Sequence, residues 1–433
     1  MSVIRDRAMN RRDLLKLGAA GALVSSLSGC ASMGGRKTLG KVVVIGAGYG
    51  GATAAKYLRL WSDGAIDVTL VDSNRDFVSC PLSNLVLGGS RSLADLTVSY
   101  DGLRRHGVNV FVDTATAIDA DKRQVHLASG VKLFYDRVVV SPGVEYLYDS
   151  IQGVDAAAQE WVLHAWKAGP QTVALRKQLE AMRDGGVVLI SVPLAPYRCP
   201  PGPYERACQI GWYLKNHKPK SKILLLDANP DYVSKKPLFS RIHAEDYKGI
   251  VEYQPQSTVV EVDVKGKAFV LDLGDRIEGD VLNLIPPQRA ANIARDAGLI
   301  TANNKWCEVD WITAESIKVP NVHVLGDATL AAPAMPKSGH MANQHGKTAA
   351  AAIVELMNGR MPVEPMMTNT CYSYIDDRNV IHVVSVHRYM PEKKTMEIVP
   401  GSSGLSSQDR ASWALETPYG DAWAKTIWAD MFA

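Results

Sequence analysis

Three glycines and one aspartate have the residue types and the spacing that bind the phosphates and ribose of a dinucleotide. Gly46, Gly48 and Gly51 form the pattern G-x-G-x-x-G, and Asp72 follows them at roughly the 20-residue distance of the acid in this fingerprint. The first glycine permits a tight turn, the second lets a pyrophosphate approach the backbone, and the third lets a helix pack closely on a strand. We therefore predict dinucleotide binding here. The alternative is a glycine-rich turn in another kind of α/β protein.

The cysteines are the second set of residues that could take part in chemistry. The chain has six of them: Cys30, Cys80, Cys199, Cys208, Cys307 and Cys371. No cysteine–histidine spacing of a metal site occurs, and without C-x-x-C-H no c-type haem is attached to this chain. Setting Cys30 aside leaves an odd number, so at least one cysteine is outside any internal disulfide. Sequence separation does not say which cysteines pair, and we expect Cys208 and Cys307 to be buried structural residues.

The residues around the glycines have the pattern of strands and a helix that would position them. Residues 42–45 form an apolar run typical of a buried parallel strand, and residues 52–58 continue as a helix. Residues 68–72 form a second strand that ends at Asp72. Strand, glycine turn, helix and acid in this order predict a Rossmann-like unit.

A second unit of the same kind follows, but the loop that would bind phosphate differs. We predict a buried strand at 187–191, a helix at 205–215 and a strand at 223–227 that ends in an acid. The connecting residues 192–204 are rich in proline, which has a fixed φ and no N–H donor. This loop cannot form a glycine cradle, which argues against NAD(P)H as the reductant.

The fold class that follows is α/β, with two Rossmann-like dinucleotide-binding domains and a C-terminal α+β interface domain. The first domain is discontinuous, because a strand ending in Gly326 and Asp327 returns to it late in the chain. The predicted boundaries are a signal and linker at 1–35, the first domain at 36–155 and 290–362, the second domain at 156–289 and the C-terminal domain at 363–433.

The N-terminal residues are predicted to be an export signal. Arg11 and Arg12 precede a short, weakly hydrophobic segment at residues 17–29, which is the pattern of a twin-arginine signal. The alternative is a disordered basic tail. Export by this route predicts a periplasmic protein. The route carries proteins that have already folded, which suits a protein that binds a nucleotide.

Residues 27–30 also resemble a lipoprotein box. Either Cys30 carries a lipid and anchors the protein to a membrane, or a peptidase cleaves near residues 31–35. The formal charge of the chain is only +3, which predicts no nucleic-acid partner. After the leader there is no apolar run of about 18 residues, so we expect no transmembrane helix.

Longer motifs resemble a known family. The glycine fingerprint, residues 141–143 (SPG) and residues 325–327 (LGD) resemble the two-dinucleotide-domain flavoproteins of the glutathione reductase kind. Within that group the chain is similar to the flavoprotein subunit of flavocytochrome c sulfide dehydrogenase. The motifs that carry this similarity are SCPLSN at 79–84, HAWKAG at 164–169, RCPPGPYER at 198–206, LIPPQRA at 284–290, MPKSG at 335–339 and NTCYS at 369–373.

The resemblance implies cofactors, a substrate and a partner. FAD would bind the first domain and be joined by a thioether to Cys80, although Pro81 stiffens that loop. Cys199 and Cys371 would form a redox disulfide over the flavin ring, where sulfide or polysulfide is oxidised. Electrons would leave to a separate c-type cytochrome subunit in a heterodimer, so that haem is held only by the partner.

The remaining site residues have two interpretations each. Glu205 is a general base for HS⁻ or a persulfide, or a carboxylate that the helix dipole favours at a helix start. Asp327 resembles the carboxylate that binds the ribityl chain of FAD, and a turn aspartate is the alternative. Lys337 and the helix that follows it are candidates to stabilise negative charge on reduced flavin. Arg198 and Arg206 flank Cys199 closely enough to attract an anion.

Three other functions compete with sulfide dehydrogenase. A membrane-associated sulfide:quinone oxidoreductase would usually have an apolar amphipathic C-terminal helix, whereas residues 422–433 are short and interrupted by charge. A redox-activating flavoprotein partner of a sulfur-oxidising system would show no turnover with sulfide and cytochrome c. An NADH-dependent disulfide reductase is disfavoured by the proline loop.

Overall fold

The computed structural model describes residues 38–433, so the predicted export signal and Cys30 lie outside the described residues. Residues 40–433 form one unit. Its strands are β1 (Gly40–Ile45), β2 (Ile66–Asp72), β3 (Asp76–Val78), β4 (Thr97–Ser99), β5 (Asn109–Val112), β6 (Ala115–Asp119), β7 (Gln124–Leu127), β8 (Lys132–Phe134), β9 (Arg137–Val140), β10 (Val144–Tyr146), β11 (Val187–Val192), β12 (Lys222–Asp227), β13 (Val251–Gln254), β14 (Val259–Asp263), β15 (Ala268–Leu271), β16 (Arg276–Glu278), β17 (Val281–Leu284), β18 (Gln288–Ala290), β19 (Val322–Val324), β20 (Met366–Tyr374), β21 (Val380–Met390), β22 (Thr395–Ile398) and β23 (Gly404–Leu405). Its α-helices are α1 (Tyr49–Trp61), α2 (Ser83–Gly88), α3 (Asp101–Arg105), α4 (Pro170–Ala181), α5 (Gly202–His217), α6 (Lys236–Glu245), α7 (Asn292–Asp296), α8 (Gly339–Met357) and α9 (Ala411–Phe432).

The first sheet is parallel, and the glycine turn follows the carboxyl end of its central strand. Its strand order is β19–β9–β1–β2–β5. Val43 and Val44 point to opposite faces of the central strand, and both are buried, as expected of a parallel strand covered on both faces. Strand β19 comes from late in the sequence, which places Gly326 and Asp327 beside the glycine turn. The α/β class with two nucleotide-type domains is confirmed.

The second sheet repeats the parallel arrangement in the order β13–β12–β11–β17. Helix α5 follows β11. The sequence predicts that it begins at Glu205, but in the structure it begins three residues earlier, at Gly202. The first turn of a helix tolerates Pro203, because an N–H at that position has no partner within the helix.

The acid that ends β12 is already engaged by the protein. Asp227 is fully buried, and its carboxylate accepts hydrogen bonds from the hydroxyls of Tyr204 (2.8 Å) and Tyr253 (3.1 Å). Its other oxygen accepts from the backbone and side-chain nitrogens of Asn229 at 2.9 and 2.7 Å. These contacts occupy the carboxylate that would bind a ribose in an NAD domain, which supports the interpretation against NAD(P)H.

The C-terminal segment forms an antiparallel sheet, in the order β20–β21–β22 with β23 on β21, followed by helix α9. The sequence suggests a short tail at residues 422–433. In the structure, residues 422–432 belong to a helix of 22 residues. Its buried residues recur every three or four positions, with Phe432 also buried beside the last of them: Trp413, Glu416, Gly420, Ala424, Ile427 and Met431. In residues 38–433 no helix combines the length and the apolar character needed to cross a bilayer.

Helix α9 ends against the first nucleotide domain. Lys56 Nζ on α1 donates to the carbonyls of Ala429 (3.1 Å) and Asp430 (3.0 Å). Trp428 Nε1 lies 3.1 Å from the hydroxyl of Tyr49 at the start of α1. The buried face of α9 is thus occupied by contacts within the chain.

The glycine turn has the geometry that the spacing predicts. Gly46 has a φ of +92°, and a β carbon on Gly51 would lie 1.8 Å from the carbonyl oxygen of Gly46. A β carbon on Gly48 would meet no atom within 4 Å. Gly46 and Gly51 are therefore needed for the turn and the packing, whereas Gly48 faces open space.

We expect Gly51→Ala to lower the free energy of unfolding by about 2 to 3 kcal/mol, because helix α1 must move away from strand β1. Thermal or urea unfolding measures this loss. Gly404→Ala is the matched control, since its β carbon would be 3.7 Å from the nearest atom, in Val384. Equal stability of the two variants would contradict the close approach.

Candidate active site

A cleft of about 280 Å³ lies where the two nucleotide-type sheets and the C-terminal sheet meet. All the predicted site residues line it except Gly51, which packs against Gly46. They are Gly46, Gly48, Asp72, Cys80, Cys199, Glu205, Gly326, Asp327, Lys337 and Cys371. These predicted residues are separated by up to 325 positions in sequence (46 to 371), yet they contribute to one cavity.

One end of the cleft is formed by the glycine turn and the acid that follows it. Asp72 Oδ2 accepts a hydrogen bond of 2.7 Å from the backbone N–H of Ala47. Its other oxygen accepts from the backbone (2.7 Å) and side chain (2.9 Å) of Asn74. These bonds hold the carboxylate at the mouth of the turn, where the N–H groups that begin α1 attract an anion.

Asp327 presents a carboxylate oxygen with an unmet hydrogen-bonding capacity. Its Oδ1 is buried, and within residues 38–433 it has no hydrogen-bond partner. Burial raises the pKa of this carboxyl group, and the positive charges of Arg198 and Lys337 oppose that rise. Lys337 Nζ is itself bound to the carbonyl of Asp327 at 3.0 Å. A hydroxyl group of a bound ligand would satisfy the free oxygen.

Cys80 lies in a loop that is held on several sides. Its Sγ accepts hydrogen bonds from the backbone N–H of Ala168 and from Arg198 Nη1, both at 3.4 Å. The neighbouring Ser79 hydroxyl bonds to the carbonyl of Pro81 at 2.8 Å. Tyr49 of α1 bonds to the same hydroxyl at 2.7 Å. Cys80 lines the cleft, and its sulfur accepts from two hydrogen-bond donors.

Cys199 is fixed in the proline loop with a φ of +59°. Its N–H donates to the carbonyl of Lys337 (2.8 Å), and its carbonyl accepts from the N–H of Gly202 (2.9 Å). Cys371 lies on β20, opposite Val383 of β21. Both are free thiols in this structure, so the redox disulfide stays a prediction for the oxidised protein.

Burial disfavours the anionic form of both thiols. It raises the pKa of Cys199, an effect to which Cys371 and Glu205 add. It also raises the pKa of Cys371, where the charge of Lys235 opposes the rise. A thiolate at either position needs a positive group close by.

Glu205 reaches the cleft from helix α5. Its Oε1 accepts from the backbone N–H of Tyr374 (3.0 Å), and its Oε2 accepts from the side chain of Asn84 (3.2 Å). Burial raises the pKa of the carboxyl group. Glu205 also lies in the first turn of α5, so both interpretations of this carboxylate, general base and helix-start acid, stay predictions.

The two arginines that flank Cys199 have different surroundings. Arg206 is 1% exposed, and its guanidinium donates to the carbonyls of His164 and Ala165, both at 2.7 Å. It also donates to the side chain of Asn84 at 3.0 Å, so it braces the wall of the cleft. Arg198 is the cation beside Cys80.

Sequence reasoning missed Lys235, Asn84, His340 and Trp423, which touch the site or line it. His340 Nδ1 accepts a hydrogen bond of 2.9 Å from the backbone N–H of Thr370. Asn84 lies in the SCPLSN motif and His340 directly follows the MPKSG motif, but no residue pattern gives these four side chains a role, and the tertiary fold alone brings Lys235 and Trp423 to the cysteines.

Three segments of the chain match known families. Residues 40–183 match the family described as pyridine nucleotide-disulphide oxidoreductase. Residues 172–286 match sulfide dehydrogenase (flavocytochrome c) flavoprotein chain, central. Residues 363–432 match flavocytochrome c sulphide dehydrogenase, flavin-binding.

Individual proteins show the same relationship. The sulfide dehydrogenase (flavocytochrome c) flavoprotein chain of Chlorobaculum thiosulfatiphilum is 56% identical over 46 residues, which cover 11% of this chain and 94% of that sequence. The mitochondrial sulfide:quinone oxidoreductase of Dictyostelium discoideum is 23% identical over 299 residues, or 68% of this chain and 66% of that protein. The chain thus spans just under two thirds of that relative.

The fold has a close counterpart among solved structures. The sulfide:quinone oxidoreductase of Aquifex aeolicus superposes with a TM-score of 0.71 over 90% of this chain and 91% of that one, at 18% identity. This likeness concerns the fold.

In a Cys80→Ser background, where no thioether can retain the flavin, we expect Asp327→Ala to weaken flavin binding roughly tenfold, or about 1.4 kcal/mol, and so to lower the flavin content at limiting FAD. The variant removes an acceptor that no described protein group uses, so its melting temperature without flavin should not fall. Absorbance at visible wavelengths per polypeptide measures the content. Asp272→Asn, at an exposed position, is the control, and normal flavin content in Asp327→Ala would contradict the assignment.

Proposed function

Because the chain belongs to the flavoprotein chains of flavocytochrome c sulfide dehydrogenase, we propose that it is an FAD-dependent sulfide dehydrogenase. One observation carries the proposal. Cys80, Cys199 and Cys371 line the same cleft as the glycine turn. A nucleotide cofactor held by that turn would extend into the region where the cysteines lie.

The residues present fit FAD. The open space at Gly48 and the start of α1 would receive the pyrophosphate, and Asp72 would bind the adenosine ribose. The unpartnered Oδ1 of Asp327 would accept a ribityl hydroxyl, and Cys80 would supply the thioether. When bound, FAD supplies a two-electron acceptor.

The reactive sulfurs of the chain would be the oxidised pair Cys199–Cys371. HS⁻ attacks one sulfur of the disulfide, so that one S–S bond breaks and another forms, which gives a persulfide and a thiolate. Glu205 takes the proton of the persulfide as general base. Arg198 attracts the incoming anion.

Electrons would leave to a separate c-type cytochrome in a heterodimer, and that partner would hold the haem. Periplasmic location, twin-arginine export and the alternative of a lipid anchor at Cys30 belong to this proposal. The second candidate is a membrane-associated sulfide:quinone oxidoreductase, which the relatives favour. The stripe of buried side chains on α9 favours the cytochrome partner, because that face of the helix is not available to a membrane.

A redox-activating flavoprotein is the third candidate. It would share the cleft and the cysteines, but its flavin would not cycle with sulfide and cytochrome c. Steady-state turnover with both substrates distinguishes it from a dehydrogenase.

We expect sulfide, but not NADH, to bleach the visible absorbance of the oxidised protein. Cys199→Ser and Cys371→Ser should each slow this bleaching by roughly a thousandfold or more, because no disulfide remains to be attacked. Both variants should still be bleached by dithionite. Cys307→Ser, a buried cysteine outside the cleft, is the control. Bleaching by NADH, or wild-type rates in either variant, would reject the proposal.

Covalent attachment has its own test. After acid precipitation, the yellow colour of the wild-type protein should stay in the pellet, because a thioether to Cys80 survives denaturation. In Cys80→Ser the flavin should pass into the supernatant, although the folded variant can still bind it through the glycine turn. Flavin release from the wild-type protein would exclude the covalent link and leave the sulfide chemistry unaffected.

A further inference from the structure

Lys235 is a buried cation beside the redox cysteines. It is 4% exposed and has a φ of +54° at the residue that precedes α6. Its Nζ donates to the carbonyl of Cys371 (2.8 Å), the hydroxyl of Ser373 (2.7 Å) and the carbonyl of Ile381 (3.5 Å). Lys235 thus connects the second nucleotide domain to strands β20 and β21 at Cys371 itself.

The direct acceptors of this ammonium group are neutral. A buried charge with neutral partners is costly unless an anion is close. The acidic groups that face Lys235 are Cys371, Glu205, Cys199 and Glu416. Burial lowers the pKa of Lys235, and these four groups oppose that change.

Both carboxylates among these groups have other partners. Glu205 accepts from Tyr374 and Asn84, as described above. Glu416 Oε2 accepts from Ser406 at 2.7 Å and lies 2.6 Å from His382 Nδ1. The cysteine pair is therefore the group near Lys235 that gains negative charge when the disulfide opens, whereas Glu205 only loses charge when it later takes the proton of the persulfide.

The reaction with sulfide adds one negative charge to the pair. A disulfide is neutral, and attack by HS⁻ exchanges one S–S bond for another without releasing a proton or an electron. The persulfide and thiolate together carry the charge of the HS⁻ that entered. The balance is the same whichever sulfur is attacked.

We propose that Lys235 is a positioning residue that holds the strand of Cys371 and stabilises the negative charge that enters the Cys199–Cys371 pair when HS⁻ opens the disulfide. This inference rests on the proposed function, because it requires that pair to be the site of attack. It predicts that the charge of Lys235, and not only its hydrogen bonds, sets the rate of disulfide opening.

Substitutions at 235 separate charge from hydrogen bonding. Lys235→Gln keeps a donor for Cys371 and Ser373 but removes the charge, and Lys235→Arg keeps the charge. Lys236→Gln is the matched control, since Lys236 is the next residue, is exposed and pairs with Asp231 at 2.5 Å. The measurement is the rate at which sulfide bleaches the oxidised holoenzyme in an anaerobic stopped-flow instrument, as a function of pH.

At about pH 7 we expect Lys235→Gln to open the disulfide roughly tenfold more slowly or worse, whereas Lys235→Arg and Lys236→Gln stay within about threefold of the wild type. The wild-type rate should fall at alkaline pH, below the ordinary lysine pKa of about 10.4, as Lys235 loses its proton. Lys235→Gln should lack this fall, and Lys235→Arg should shift it beyond the measured range.

A wild-type rate in Lys235→Gln would overturn the inference while leaving the proposed function intact. If Lys235→Gln does not fold or bind flavin, the wild-type and Lys235→Arg pH profiles decide, and a missing alkaline fall in the wild type overturns the inference. Peptide mapping of the oxidised wild type is done first. No Cys199–Cys371 disulfide there, together with no bleaching by sulfide, overturns the proposed function itself.

Discussion

Several ionisable groups share one cleft in which burial disfavours their charged forms. Burial raises the pKa of Cys199, Cys371, Glu205 and Asp327. The charged form of each group therefore needs a hydrogen-bond donor or a cation to compensate it. The placement of Arg198 and Lys235 follows from this requirement, because anionic sulfur chemistry in such a cleft needs fixed positive charge.

Three parts of the fold supply residues to this cleft. The first nucleotide domain supplies the glycine turn, Cys80 and Asp327, and the second supplies Cys199 and Glu205. The C-terminal sheet supplies Cys371. The proposed disulfide would join residues that are distant in sequence, which requires firm attachments on both sides. The hydrogen bonds from Cys199 to Lys337 and from Lys235 to β20 provide them.

The sequence predicted the local parts of this arrangement well. The glycine turn and Asp72 follow from short-range spacing, because strand, turn and helix are contiguous in the chain. The absence of a glycine cradle in the proline loop likewise follows from local sequence, and the occupied carboxylate of Asp227 supplies a second reason against NAD(P)H. The roles of Cys80, Cys199 and Cys371 came from the resemblance to a family and not from spacing.

What the sequence could not predict depends on tertiary contacts. Lys235 lies in a polar turn that is typical of a surface loop, and only packing against β20 buries it. Asn84 lies in the SCPLSN motif, yet only the placement of helix α2 in the fold turns its side chain towards Glu205 and Arg206. Local sequence does not reveal the partners of such residues, because these partners lie more than 100 positions away in sequence.

Helix α9 has a consequence for what the cleft requires of the chain. Trp423 on this helix lines the cleft, and Trp428 contacts Tyr49, whose hydroxyl bonds to the loop of Cys80. The strand, turn and helix of the glycine motif are contiguous within residues 40–61, whereas α9 begins at residue 411. The glycine turn can therefore form from local contacts, but the wall of the cleft is complete only when α9 is docked on the first nucleotide domain. A molecule with α9 undocked would keep the turn and lack the closed cleft.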